Sequence, residues 1–155
     1  MDLKFVWPGR TRTPALRSLQ EFYLDRIRPM AACRVIETRE ARGMDERAAE
    51  KIKEIEAQGL EKNLDNDYII CLVDDGKEMS SEEFARFLEK RQLGPCRSLA
   101  FVVGGFLGLA GRILELADLR LSLSRMTFSH ELARVVLLEQ VYRSLTIVKG
   151  KHYAK

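Results

Sequence analysis

The chain has 155 residues, a formal net charge of +3, 46% hydrophobic residues and 32% charged residues. That length suits one domain over residues 1–155, able to bury about 68–70% of its unfolded surface without disulfides or a structural metal. The composition excludes a disordered chain, and no run approaches the ~20 apolar residues of a membrane-spanning helix.

Residues 3–7 read as a strand whose apolar run stops at Pro8, too early for a signal segment, so a cytoplasmic chain is expected. A helix follows with Leu16, Leu19, Tyr23 and Ile27 on one face. Residues 34–38 read as a second strand, and Ala48, Ile52, Ile55 and Gly59 then mark an amphipathic helix. Residues 67–73 carry the continuous apolar run of a strand covered on both faces. Ser80 and Ser81, followed by Glu82 and Glu83, open a helix whose buried stripe is Phe84, Phe87 and Leu88. Residues 99–103 form a fourth buried strand ending in Gly104-Gly105, with a short helix around residues 111–117 behind it. Leu119, Leu121 and Leu123 alternate as a fifth strand, and a last helix runs from about His130 to Val148. This alternation predicts an α/β fold, a mostly parallel sheet with helices on both faces.

In such sheets ligands bind beyond the carboxyl ends of the strands. Three loops lie there: Asp74-Asp75-Gly76-Lys77, residues 104–111 and residues 124–129. The second carries Gly104, Gly105, Gly108 and Gly111, and glycine permits positive φ and close approach of a ligand to the backbone. It is neither the Gly-x-Gly-x-x-Gly dinucleotide fingerprint nor the Gly-x-x-x-x-Gly-Lys-Ser/Thr phosphate loop, which argues against a dehydrogenase and a P-loop NTPase. The same glycines also suit a tight strand-to-helix turn that holds no ligand.

Cys33, Cys71 and Cys96 are odd in number and widely spaced, so neither a disulfide framework nor a metal knot is expected. Cys71, inside an apolar run, reads as a small buried group. His130 and His152 are the two histidines, with no ligand-spaced partner for zinc. His130 follows Ser129, a candidate helix cap, and reads equally as structural. From Leu119 onward seven basic residues face only Glu131 and Glu139, an excess larger than the net charge of the whole chain. Such a basic end suits a polyanionic partner, plausibly RNA, or is simply a solvated terminus.

Three ordered blocks then carry a resemblance. Phe101-Val102-Val103-Gly104-Gly105-x-x-Gly108-Leu109, Leu121-Ser122-Leu123-Ser124-Arg125-Met126-Thr127-Phe128-Ser129-His130 and Arg134-Val135-Val136-Leu137-Leu138-Glu139-Gln140-Val141-Tyr142-Arg143 resemble the RlmH family. These are SPOUT-class methyltransferases that modify N3 of a pseudouridine in bacterial 23S ribosomal RNA. The resemblance covers the full length. It implies a homodimer acting on 23S rRNA in the ribosome, with no membrane or DNA partner, and a SPOUT-type sheet carrying a C-terminal trefoil knot. It also implies S-adenosylmethionine as cofactor, held by Leu72, Gly104 and the run Leu123, Ser124, Arg125, Met126, Thr127 and Phe128.

The imino N3 must lose a proton, so a base or an anion-stabilising cation is needed beside it. His130, Arg134 and Tyr153 are the catalytic candidates, and the sequence does not choose among them. Ser129 stands where the family often has proline, and the tail ends Tyr153-Ala154-Lys155 where family tails commonly carry Tyr-His-Arg/Lys. The missing tail histidine leaves a second reading, a silent relative that binds ribosomes or RNA without methylating.

Overall fold

The computed structural model describes residues 1–96 and 98–151, so the assignment made to Tyr153 lies outside the described residues. Five strands form one sheet: β1 (Asp2–Pro8), β2 (Ala32–Thr38), β3 (Tyr68–Glu78), β4 (Ser98–Val102) and β5 (Leu119–Ser122). Their order is β2-β1-β4-β3-β5 and every pairing is parallel. Strand alternation divides the core in two. Leu3, Phe5 and Trp7 of β1 join α1 (Pro14–Ile27), α3 (Ser81–Leu93) and α5 (His130–Val148) on one face. Val6 points the other way, with α2 (Ala49–Glu61) and α4 (Gly111–Leu116). The α/β architecture with helices on both faces is as the alternation predicts. Among the described residues, no helix is long and apolar enough to cross a membrane.

The local signals at helix starts hold. Ser80 accepts from the Glu83 N–H while the Glu83 carboxylate accepts from the Ser80 N–H, a reciprocal capping box. The Ser129 hydroxyl accepts from the Leu132 N–H at 3.4 Å at the head of α5.

Two helix faces differ from expectation, in each case through a buried polar residue. In α1 the buried positions are Gln20, Leu24 and Ile27, while Leu19 is 42% exposed. Gln20 goes inside because its Oε1 accepts from the buried Thr11 hydroxyl at 2.6 Å. In α2 the buried set is Ile52, Glu56, Ala57 and Leu60, a face rotated from the predicted one to include a carboxylic acid.

β3 is longer than its apolar run, continuing through Asp74-Asp75-Gly76-Lys77, which sequence reading gives to a loop. Its register against β5 breaks between Leu72 and Lys77, both of which lie opposite Leu121. Gly76 makes the extension possible. A Cβ there would lie 2.8 Å from the backbone of Arg120 and Leu121, so no other residue could pass β5 so closely. Cys71, at the centre of β3, is fully buried and its thiol is pushed up to about 12 by burial. It stays protonated at neutral pH and packs as an apolar group.

Candidate active site

A cleft of about 580 Å³ opens beyond the carboxyl ends of β4 and β5 and against the middle of β3, within the size range of small-ligand and cofactor pockets. Three segments wall it: residues 72–74, residues 103–109, and residues 123–130 apart from Arg125. The second and third correspond to loops that the strand-end argument selects; of the first expected loop only Asp74 lines the cleft, and it lies within β3.

The middle segment is a turn closed on itself. The Gly108 N–H donates to the Gly105 carbonyl at 3.0 Å, and these two glycines form an isolated antiparallel bridge. Gly108 has φ +84°, which an L side chain rarely adopts. Gly104 is needed for a different reason, since a Cβ on it would lie 2.6 Å from the carbonyl carbon of Gly108.

The third segment is tied to the middle of β3. The Thr127 hydroxyl donates to the Asp74 carboxylate at 2.7 Å. The Ser122 hydroxyl lies 2.9 Å from the carbonyl oxygens of both Asp74 and Ser124, and the Ser124 hydroxyl accepts from the Met126 N–H at 2.9 Å. The result is an apolar slot between Leu72, Leu109, Leu123 and Phe128 with a few polar groups set into it, among them Asp74, Ser124 and Thr127.

Leu72, Gly104 and five of the six residues 123–128 line this cleft. Arg125 does not. Its side chain is 88% exposed and its Nε lies 3.8 Å from Glu78, outside the slot.

The catalytic candidates separate clearly. His130 lines the cleft at the first position of α5. Burial, and then the nearby Arg134, pull its imidazole below the usual 6.5, against opposing pulls from Glu131 and Glu40. A neutral ring at pH 7 is a competent proton acceptor. Arg134, one turn further along α5, does not line the cleft and is fully buried. It donates to the Pro8 carbonyl at 2.7 Å and to the Thr11 hydroxyl at 3.1 Å, with its guanidinium carbon 5.0 Å from the centroid of the Trp7 ring. That geometry clamps α5 to the end of β1, with the guanidinium engaged there rather than lining the cleft.

Sequence reasoning did not single out Asp74, Phe106 or Glu56. Asp74 lies in a segment that sequence reading gives to a loop and the structure gives to β3. Phe106 gives no sign in the chain that its side chain would stand 51% exposed at the cleft. Glu56 sits in a mixed-charge stretch that reads as a solvated helix face.

Comparison with known proteins supplies a family. A model described as Predicted SPOUT methyltransferase matches residues 1–154. Proteins named Ribosomal RNA large subunit methyltransferase H are similar over their whole length. The one from Carboxydothermus hydrogenoformans is 37% identical with all of both chains covered. Its counterpart in Geotalea daltonii is 38% identical with 99% of each chain covered. Among solved structures, a probable methyltransferase from Bordetella pertussis shares the fold with a TM-score of 0.57 at 12% identity, over 92% of this chain and 93% of that one. A probable methylase family protein from Haemophilus influenzae also aligns with a TM-score of 0.57, at 14% identity, over 99% of this chain and 70% of that one.

Proposed function

The chain belongs to the SPOUT methyltransferase family, and on that premise we propose that it transfers a methyl group from S-adenosylmethionine to large-subunit ribosomal RNA. The observation that carries this reading is the end-to-end likeness to relatives named for that activity, at 37% identity over all of both chains. The target is N3 of a pseudouridine in 23S rRNA, and the work is done in the cytoplasm on the ribosome.

The cleft residues fit the donor. The slot between Leu72, Leu109, Leu123 and Phe128 suits a flat apolar purine. The Asp74 carboxylate suits an ammonium group, and the side-chain-free glycine turn lets backbone amides approach closely. When bound, the sulfonium supplies an already activated methyl group, so the protein's main task is alignment. His130 accepts the proton that the imino nitrogen must lose, held ready by the neutrality of its ring. Arg134 contributes by anchoring α5, and with it His130, to β1.

The active form is a homodimer. The many apolar residues of α5 are mostly accounted for within one chain, because Leu137, Leu138, Val141 and Leu145 are buried in the core shared with α1 and α3. Support for a second subunit comes instead from the cleft mouth, where Phe106 and Met126 are 51% and 79% exposed. A partner covering them would build a composite pocket for the RNA.

The test is transfer of labelled methyl groups from S-adenosylmethionine to ribosomes lacking the modification, with the labelled nucleotide mapped. Incorporation at a pseudouridine of 23S rRNA is expected. Ribosome binding without incorporation would favour the silent relative instead. The pH dependence of the rate carries the role of His130. A neutral ring is needed, so activity should fall as the pH drops through the lowered imidazole range below 6.5. His130→Gln should lack that limb of the profile. An unchanged profile in this variant would remove His130 from the proton transfer.

A further inference from the structure

Glu56 has no part in the chemistry described so far, yet the structure treats it unlike an ordinary helix acid. It projects from α2 and is only 3% exposed. Its Oε1 has no hydrogen-bond partner among the described residues, and its Oε2 accepts a long bond, 3.4 Å, from the Ala41 N–H. The carboxyl group rests against Gly105. A Cβ added at Gly105 would lie 2.8 Å from Oε1 and 3.3 Å from Oε2, so any larger residue there would make the acid move from its place. Gly105 is in turn a wall of the cleft and one half of the bridge that closes the glycine turn.

We propose that Glu56 is a positioning residue of the methyl-donor cleft, its carboxyl group bracing Gly105 and so holding the glycine turn in the shape that receives the donor. This rests on the reading of the cleft as an S-adenosylmethionine site. A buried acid without an ion-pair partner is costly when charged and tolerable when neutral. Burial pushes its carboxyl above the usual carboxylate range and the Ala41 N–H opposes this; Glu40 adds to the rise and Arg134 offsets it.

Glu40 and Arg134 are the charged groups facing Glu56 from the connection after β2 and from α5. Arg112 of α4 is engaged elsewhere, with Glu54 and Glu61 at 3.3 and 3.1 Å, and Arg47 of the preceding turn pairs with Asp45 at 2.9 Å. Ionised, Glu56 would draw water into the contact with Gly105 and loosen the turn. Neutral, it is a compact wedge whose shape an amide reproduces.

The experiment is calorimetric titration of the full chain with S-adenosylhomocysteine between pH 5 and 9, alongside thermal melts. Glu56→Gln should bind within about twofold of the unmodified chain at the acid end, and Glu56→Ala should bind about tenfold more weakly, because the turn loses its brace. As the pH rises, the unmodified chain should lose affinity relative to Glu56→Gln. Titration of His130 is common to both proteins and cancels in that ratio. A Glu56→Ala chain that binds as well as the unmodified one overturns the proposal, and so does a ratio that stays flat across the pH range. Should Glu56→Ala fail to fold, the glutamine comparison decides alone. A chain that binds no S-adenosylhomocysteine at any pH would refute the donor-site reading itself, a result distinct from either of these.

Discussion

Gly104→Ala should weaken S-adenosylhomocysteine binding by about 100-fold while leaving the sheet folded. The added methyl would lie 2.6 Å from the carbonyl carbon of Gly108 and 2.9 Å from its Cα and oxygen, all backbone atoms with no side chain to swing aside. Relief must come from opening the turn. That separates Gly105 from Gly108 and displaces the wall between the strand β4 and the cleft. Because β4 ends at Val102, the strand itself is not in the contact and its pairing with β1 and β3 survives.

The nearby Gly108→Ala is a useful contrast. Its Cβ meets nothing within 4 Å, so the cost there is the strain of φ +84° alone, about 1–2 kcal/mol. Calorimetry and a melting curve on both variants check this. Unaltered affinity in a folded Gly104→Ala chain would show that the turn does not shape the site. Sequence reading assigns the glycines to positive φ and ligand approach. The structure gives positive φ to Gly108 and makes Gly104 a matter of the turn's contact with itself.

What the chain announces and what it withholds follow from the range of the interactions involved. The buried runs of β1, β3 and β4, the capping box at Ser80 and the span of α5 depend on neighbours a few residues away, and these are legible. The strand order is another matter. Placing β4 between β1 and β3 depends on which edges meet after collapse, and local propensity carries no record of that. The same holds for each misjudged helix face. Gln20 is buried by Thr11, Glu56 by the contact with Gly105, and Arg134 by the carbonyl of Pro8 far away in the chain. A polar residue buried by contacts that form only in the fold looks, in sequence, like one that faces water.

The candidate site is legible at the level of the two loops after β4 and β5, because glycines and strand ends are local marks, whereas the expected loop at Asp74 is strand. Individual side chains were less so. Arg125 belongs to a block that otherwise lines the cleft, but its side chain turns outward toward Glu78. Asp74 gains its place from a β3 that outlasts its apolar run, which rests on the close crossing of Gly76 past β5.

Arg134→Ala should cost roughly 3–5 kcal/mol of stability, the loss expected when a large buried side chain is truncated and its hydrogen-bond partners are left short. Arg134 is 0% exposed and is among the largest fully buried side chains of the molecule. Truncation would take a donor from the Pro8 carbonyl and from the Thr11 hydroxyl, remove the cation from the Trp7 ring and leave a cavity between α5 and the end of β1. The guanidinium is itself under strain of burial, which pulls it down to about 10, so it remains charged throughout the physiological range. For a chain of this length the loss corresponds to a fall in Tm of roughly 10 °C or more. Arg134→Lys should fall between, since an ammonium can reach one acceptor but lacks the planar fork that serves two. Thermal melts of the two variants, followed by donor titration at a temperature where both are folded, separate an anchor from a chemical group. Full stability with methyl transfer abolished would return Arg134 to the chemistry. A fall in Tm that runs in parallel with loss of activity, and an Arg134→Lys chain that regains part of both, would establish it as the clamp that holds His130 at the cleft.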